Sequence, residues 1–150
     1  MRVEGVRHRN GFTLVELMVV LVIVGLMSAA VVLAIPGPGG GVRAEAVRFA
    51  ARAQTARELA VTDNRMIAIR LDARGYVFEA RHSGEWQAIE DKPLAGALWQ
   101  EGTVAAMEGQ SRSIVFDSTG FAEPARIRLA RPGHSAVVEI GTGGEVHVAS

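Results

Sequence analysis

The chain has 150 residues, 49% hydrophobic and 5% aromatic, enough for one ordinary domain with an appendage and too apolar for a disordered chain. Its 16 basic and 16 acidic residues cancel, so no strong field points to nucleic acid. The absence of cysteine excludes a disulfide framework, a cysteine nucleophile and thiolate metal sites.

The balance of charge hides an asymmetry at the N-terminus, where Arg2, Arg7 and Arg9 stand against Glu4 alone. From Leu17 to Ile35 there is no charge and a single hydroxyl, Ser28. As a helix this run spans roughly 28 Å, about the thickness of a bilayer's hydrocarbon core. Three readings compete: a cleaved secretory signal, a plain membrane anchor, or a segment that is processed and then built into an assembly. A secretory signal has a shorter apolar core of about 7–15 residues. Ser28-Ala29-Ala30 is a weak cleavage match, with further apolar residues behind it. In either of the other readings the leading arginines hold the N-terminus in the cytoplasm and place residues 43–150 across the membrane.

Glu16 is the anomaly, because it stands at the head of the apolar run. A carboxylate at mid-span costs about 2.5–3.5 kcal/mol on insertion scales, and less near the interface. One reading leaves it at the interface, in a first helical turn whose dipole favours an acid. The other gives it a positive partner. Cleavage after Gly11 would supply one, as a free ammonium on Phe12, and the two charges would neutralise one another within a chain or between neighbouring helices.

The stretch Arg9-Asn10-Gly11-Phe12-Thr13-Leu14-Val15-Glu16, followed by an apolar helix, resembles the class III signal of type IV pilins and type II secretion pseudopilins. The resemblance implies a prepilin peptidase that cuts after Gly11 and methylates the new N-terminal Phe12, with Glu16 as the assembly glutamate. The residue types suit that chemistry. A small Gly11 admits a protease close to the backbone. An uncut apolar helix keeps the product in the membrane until other helices replace the lipid around it, as the core of a fibre would.

Downstream, Pro36, Pro38 and four glycines between residues 37 and 41 stop the helix and read as a hinge over residues 36–42. A second helix is expected from about Arg43, with Ala46, Phe49, Ala50, Ala53, Ala56 and Ala60 as its core face. Arg43, Arg48, Arg52 and Arg57, interleaved with Glu45 and Glu58, read as a solvated face. After Asp63-Asn64 the period falls to two through Ile67, Ile69 and Leu71, turns at 72–75 and returns through Tyr76–Ala80. A second turn at 82–85 leads into a strand at 86–89. Residues 90–110 are weakly patterned and read mostly as loop. Four further strands are expected at 113–117, 125–130, 136–140 and 145–148. The fold class is α+β, a helix packed on antiparallel strands in two sheets.

Residues 58–65, the alternating strand after them, Gly75-Tyr76-Val77-Phe78, Trp86, Ile114-Val115-Phe116 and the terminal Gly144–Val148 are similar to the H-type minor pseudopilins of type II secretion. FimT/FimU-type minor pilins of type IV pili share that domain and give the alternative, with adhesion, motility or DNA uptake as the role. The resemblance implies a pilin-like chain organised as a leader at 1–11, a transmembrane and assembly helix at 12–35, the hinge, and a periplasmic domain at 43–150. It implies a single-pass inner-membrane protein whose partners are the prepilin peptidase, the major and other minor pseudopilins and the inner-membrane assembly platform. The resemblance further implies a fibre that acts as a piston or plunger, pushing folded proteins through an outer-membrane channel, with ATP hydrolysed by a separate cytoplasmic motor.

Nothing in the sequence asks for an enzyme, a cofactor or a metal. His8, His82, His134 and His147 are scattered, none at ligand spacing from another. The serines at 83, 111, 113, 118 and 135 lack a nucleophile elbow. The Gly/Pro stretch lacks the Lys-Ser/Thr of a phosphate loop. Asp72 and Asp117 read as turn residues rather than calcium ligands. Arg126, Arg128 and Arg131 are the candidate phosphate contacts, too few for strong DNA binding and more simply a polar outer face. Trp86 and Trp99 read as core or interface residues.

Overall fold

In the computed structural model, which describes residues 14–34, 41–109 and 111–149, the apolar run forms helix α1 (Leu14–Ala34). Straight-chain and alanine residues suit helix α2 (Val42–Thr62) equally well. Gly41 stands at its N-cap without a side-chain cap bond. The other end closes through Asn64, which takes the left-handed conformation at φ 48°. The Asn64 N–H donates to the Val61 carbonyl at 3.3 Å and the Arg65 N–H to the Ala60 carbonyl at 3.0 Å, a Schellman closure. The chain divides into two units, residues 1–38 and 39–150, with α1 in the first and α2 and every strand in the second. The leader, Gly11, Phe12 and hinge residues 36–40 lie outside the described residues.

Among the described residues nine strands follow α2: β1 (Ile67–Leu71), β2 (Gly75–His82), β3 (Glu85–Ala88), β4 (Ala97–Leu98), β5 (Val104–Met107), β6 (Ser113–Phe116), β7 (Ala125–Arg131), β8 (His134–Ile140) and β9 (Val146–Ala149). One antiparallel sheet runs β3-β2-β1-β6, with β4 also on β2, and the other runs β5-β7-β8-β9. Register in the first is set by Ile69 opposite both Phe78 and Ile114, which puts the three on one face. In the second, Ile127 faces Val138, and Leu129 faces Ala136.

The turns are dictated locally. Asp72 Oδ1 accepts the N–H groups of Arg74 and Gly75 at 2.6 and 2.9 Å, closing the β1–β2 turn. A Cβ at Gly75 would lie 2.2 Å from the Ala97 carbonyl oxygen, so only glycine lets β4 join β2 there. Ser83 and Gly84, at φ 50° and 90°, form the two-residue turn between β2 and β3.

Helix α2 packs on β1 and β6 of one sheet and on β7, β8 and β9 of the other. Its buried stripe is the expected one, Ala46, Phe49, Ala50, Ala53, Ala56 and Ala60, extended by Val42 and Glu45. Alanine brings the helix axis close to both sheets, and Phe49 fills the remaining space. Its ring meets Tyr76 at 4.9 Å and Trp99 at 5.6 Å, edge to face.

Several expectations need correction. Within residues 90–110, mostly loop as expected, two short strands also form, β4 and β5, and β5 is an edge strand of the second sheet. Its Val-Ala-Ala-Met sequence carries little local signal, and pairing with β7 decides it. Val42 belongs to α2 rather than the hinge and is buried. The basic face of α2 is not uniformly solvated. Arg43, Arg48 and Glu58 are exposed, but Arg52 and Arg57 are half-buried and Glu45 is buried. Arg52 donates to Tyr76 Oη at 2.9 Å and to the carbonyls of Pro93 and Ala95, and Arg57 donates to the Gly120 carbonyl at 3.1 Å.

The close approach of α2 makes a volume prediction. Ala53→Leu, at a fully buried position, should lower unfolding stability by about 1–3 kcal/mol through overpacking. Ala51→Leu, on the exposed side, should change it by no more than about 0.5 kcal/mol. Urea unfolding of the two variants checks this, and equal losses would contradict the packing described.

Candidate assembly site

Helix α1 has no polar face. Every described side chain from Leu14 to Met27 is exposed, including Leu14, Leu21, Leu26 and Met27. Glu16, in the first turn, is the one charged residue from 14 to 34. A helix apolar all round cannot be satisfied by water, so its surface must meet lipid or other helices. Among the described residues no helix is long and apolar enough to cross a membrane. The described side chains of α1 end at Met27, while the uncharged run continues to Ile35. Of the predicted site residues the structure therefore places Glu16, and Gly11 and Phe12 lie outside the described residues.

In the second unit, the residues that another chemistry would draw on sit in turns, at strand ends and on strand faces. Asp117 Oδ1 accepts the Thr119 hydroxyl at 2.6 Å and the N–H groups of Thr119 and Phe121 at 2.8 and 3.0 Å. His82 and His134 are exposed at strand ends. His147 Nε2 lies 3.1 Å from Glu139 Oε2 on the outer face of the second sheet. Among the described residues no three His, Asp or Glu side chains are placed to hold a metal. An open groove of about 560 Å³ lies between the β1–β2 turn and β5, lined by Leu71, Asp72, Met107, Ser111 and Arg112. Asp72 is committed to its turn, and the Ser111 hydroxyl donates to the Ser113 carbonyl at 2.8 Å, so the groove holds no nucleophile–base pair.

The three arginines of the late strands do not form one patch. Arg126 and Arg128 share the exposed face of β7, as expected. Arg126 pairs with Glu139 at 2.7 Å and lies 3.8 Å from Glu108. Arg131 turns inward to Glu45 at 3.1 Å. Trp99 is buried and its Nε1 donates to the Asp72 carbonyl at 3.1 Å. Trp86 is partly exposed, and the Arg81 guanidinium carbon lies 5.7 Å from its ring centroid, within cation–π distance.

The Glu45–Arg131 contact, with Gln100 and Thr103 around it, escaped the sequence reading. The signal was present: Val42, Glu45, Ala46 and Phe49 follow the i, i+3, i+4, i+7 spacing of a single buried face.

Comparison with known proteins follows the same division of the chain. Residues 6–32 match the family model described as the prokaryotic N-terminal methylation motif, and residues 45–144 match that of the type II transport protein GspH. The chain is 36% identical over 97 residues to a type II secretion system protein H of Aeromonas hydrophila, covering 61% of this chain and 53% of the relative. It thus spans about half the length of that relative. The structure is similar to the minor pseudopilin EpsH from the type 2 secretion system of Vibrio cholerae, with TM-score 0.64 and 18% identity, covering 73% of this chain and 96% of that one. It is also similar to the type IV minor pilin FimU of Pseudomonas aeruginosa, with TM-score 0.60 and 19% identity over 73% and 88% of the two chains. The fold is pilin-like, with a helix on two antiparallel sheets as expected.

The two turn aspartates make a pH prediction. Asp117 is held below the ordinary aspartate value of 3.8, first by the Thr119 hydroxyl and then by the Thr119 N–H. Asp72 is held below it by the N–H groups of Arg74 and then Gly75. Folding depresses both values, so their stabilisation is complete above about pH 4 and is lost as the pH falls through the folded values. Thermal unfolding from about pH 5 to pH 2 should show the midpoint falling less steeply in Asp117→Asn than in the parent chain. Parallel curves would contradict the assignment.

Proposed function

Because the chain belongs to the GspH family of type II transport proteins and carries the N-terminal methylation motif ahead of it, we propose that it is a minor pseudopilin, a structural subunit of the periplasmic pseudopilus of a type II secretion system. It is made as a precursor with its N-terminus in the cytoplasm, α1 in the inner membrane and residues 43–150 in the periplasm. The prepilin peptidase cuts between Gly11 and Phe12 and methylates Phe12. At the assembly platform, α1 then leaves lipid for a bundle of equivalent helices contributed by the major and other minor pseudopilins. The role is structural and involves no catalysis.

The observation that carries this reading is a single carboxylate in the first turn of a helix whose described side chains are all exposed and otherwise without charge. Lipid tolerates such a surface, and so does a helical core. Both make a carboxylate costly, and a positive charge beside it offsets that cost. A new amino terminus four residues earlier, on the same chain or a neighbour, is that charge. The residues of the second unit are then free to supply the folded head that the fibre presents.

Two measurements test the proposal. The intact mass of the membrane-extracted chain should correspond to residues 12–150 with one added methyl group, and a mass that retains Met1 in peptidase-competent cells would contradict it. Glu16→Ala should be processed normally yet enter the pseudopilus poorly, with secretion reduced. Normal incorporation and secretion would remove the role assigned to Glu16.

A further inference from the structure

Glu45 stands in the first turn of α2 and is 5% exposed. Its Oε1 accepts the Gln100 N–H at 2.6 Å, and its Oε2 accepts the Thr103 hydroxyl at 2.6 Å and Arg131 Nη2 at 3.1 Å. Arg131 also donates from Nε to Thr103 Oγ1 at 2.7 Å and from Nη2 to Gln100 Oε1 at 2.7 Å. Three separate parts of the second unit meet here: the start of α2, the crossover from β4 to β5 that links the sheets, and the end of β7.

A buried ion pair is weak evidence for net stability, because desolvation offsets much of the attraction. Its position has a more specific consequence. Breaking the cluster requires directional, charge-assisted bonds to be lost together, whereas alanine contacts along a helix are lost a few at a time. The next buried positions along α2 are Ala46, Phe49, Ala50 and Ala53, and the next polar fastening is Arg52 on Tyr76 and the Pro93 and Ala95 carbonyls. Gly41 offers no side-chain cap that would secure the first turn by itself.

We propose that the Glu45–Arg131 cluster is a mechanical latch, fastening the first turn of α2 to the sheets against a pull that enters the second unit at its N-terminal end. The direction of that load rests on the fibre reading. A subunit held through its N-terminal helix receives force at residue 41, and a helix pulled from one end peels turn by turn from that end. The latch stands where peeling begins.

Single-molecule pulling tests this on the full chain in detergent micelles, and the absence of native cysteine makes engineered handles unique. In one geometry the handles are Gly41→Cys, where an added Cβ meets open space, and Ser135→Cys, which is exposed. In the other, Thr62→Cys replaces the first handle and loads α2 from its far end. With the Gly41 handle, Glu45→Gln should raise the opening rate at constant load on the order of a hundredfold, as loss of one partner of a buried pair implies. With the Thr62 handle it should leave the first opening unchanged. The milder Thr103→Val should give a smaller rise at the Gly41 handle alone, and the core variant Ile127→Val should act alike in both geometries. An equal effect of Glu45→Gln in both geometries, or none at the Gly41 handle, would overturn the latch. Neither geometry needs a fibre, so failure of the latch and failure of the assembly role are read separately.

Discussion

A helix that is apolar on every side has no stable resting place in water, and one carboxylate at its head narrows its options further. For α1 we propose lipid and then other helices as the surroundings, with a positive charge beside Glu16 in each. Both settings satisfy the same side chains, so transfer between them exchanges one apolar contact for another. The driving force then lies in close packing and in charge pairing rather than in escape from water. Proteolysis between Gly11 and Phe12 would create the pairing charge only after insertion, which would tie assembly to processing in one electrostatic event.

The second unit solves a different problem. One helix must serve two sheets, and α2 does so with a stripe of alanines that brings its backbone close to both. Larger side chains enter where the sheets leave room, as Phe49 does between Tyr76 and Trp99. The polar residues on the margins of the stripe, Glu45, Arg52 and Arg57, reach past it to carbonyls, hydroxyls and one arginine on the loops and strands around it. Packing thus sets how close the helix lies, and these directional bonds set where along the sheets it sits.

Periodicity made much of this legible in the sequence. The alanine stripe, the alternation through Ile67, Ile69 and Leu71, and the late strands could be read because each pattern is local. Asp63-Asn64 marked the end of α2 because asparagine accepts the left-handed conformation that a Schellman closure needs. The β5 strand was not legible, since Val104-Ala105-Ala106-Met107 takes its conformation from β7 rather than from its own side chains. Glu45 was misplaced because charge outweighed position: it falls on the buried face by spacing, and its partner Arg131 lies 86 residues away. Arg131 stands beside Arg126 and Arg128 in the chain but turns inward, away from their shared face. At the N-terminus the run from Arg9 to Glu16 was legible as a motif, and residues 6–32 match the N-terminal methylation motif, while the roles of Gly11, Phe12 and Glu16 within it belong to the proposal.

The proposed pairing of the Phe12 amine with the Glu16 carboxylate is the centre of the account, and a distance measurement addresses it directly. Solid-state NMR on assembled fibres, with nitrogen-15 in phenylalanine and carbon-13 at the glutamate side-chain carboxyl, reads dipolar recoupling between the terminal amine and Glu16. The account predicts recoupling at ion-pair range, with nitrogen and carboxylate oxygen about 4 Å apart or closer. Its absence, in fibres whose subunits are shown by mass to begin at Phe12, would contradict it.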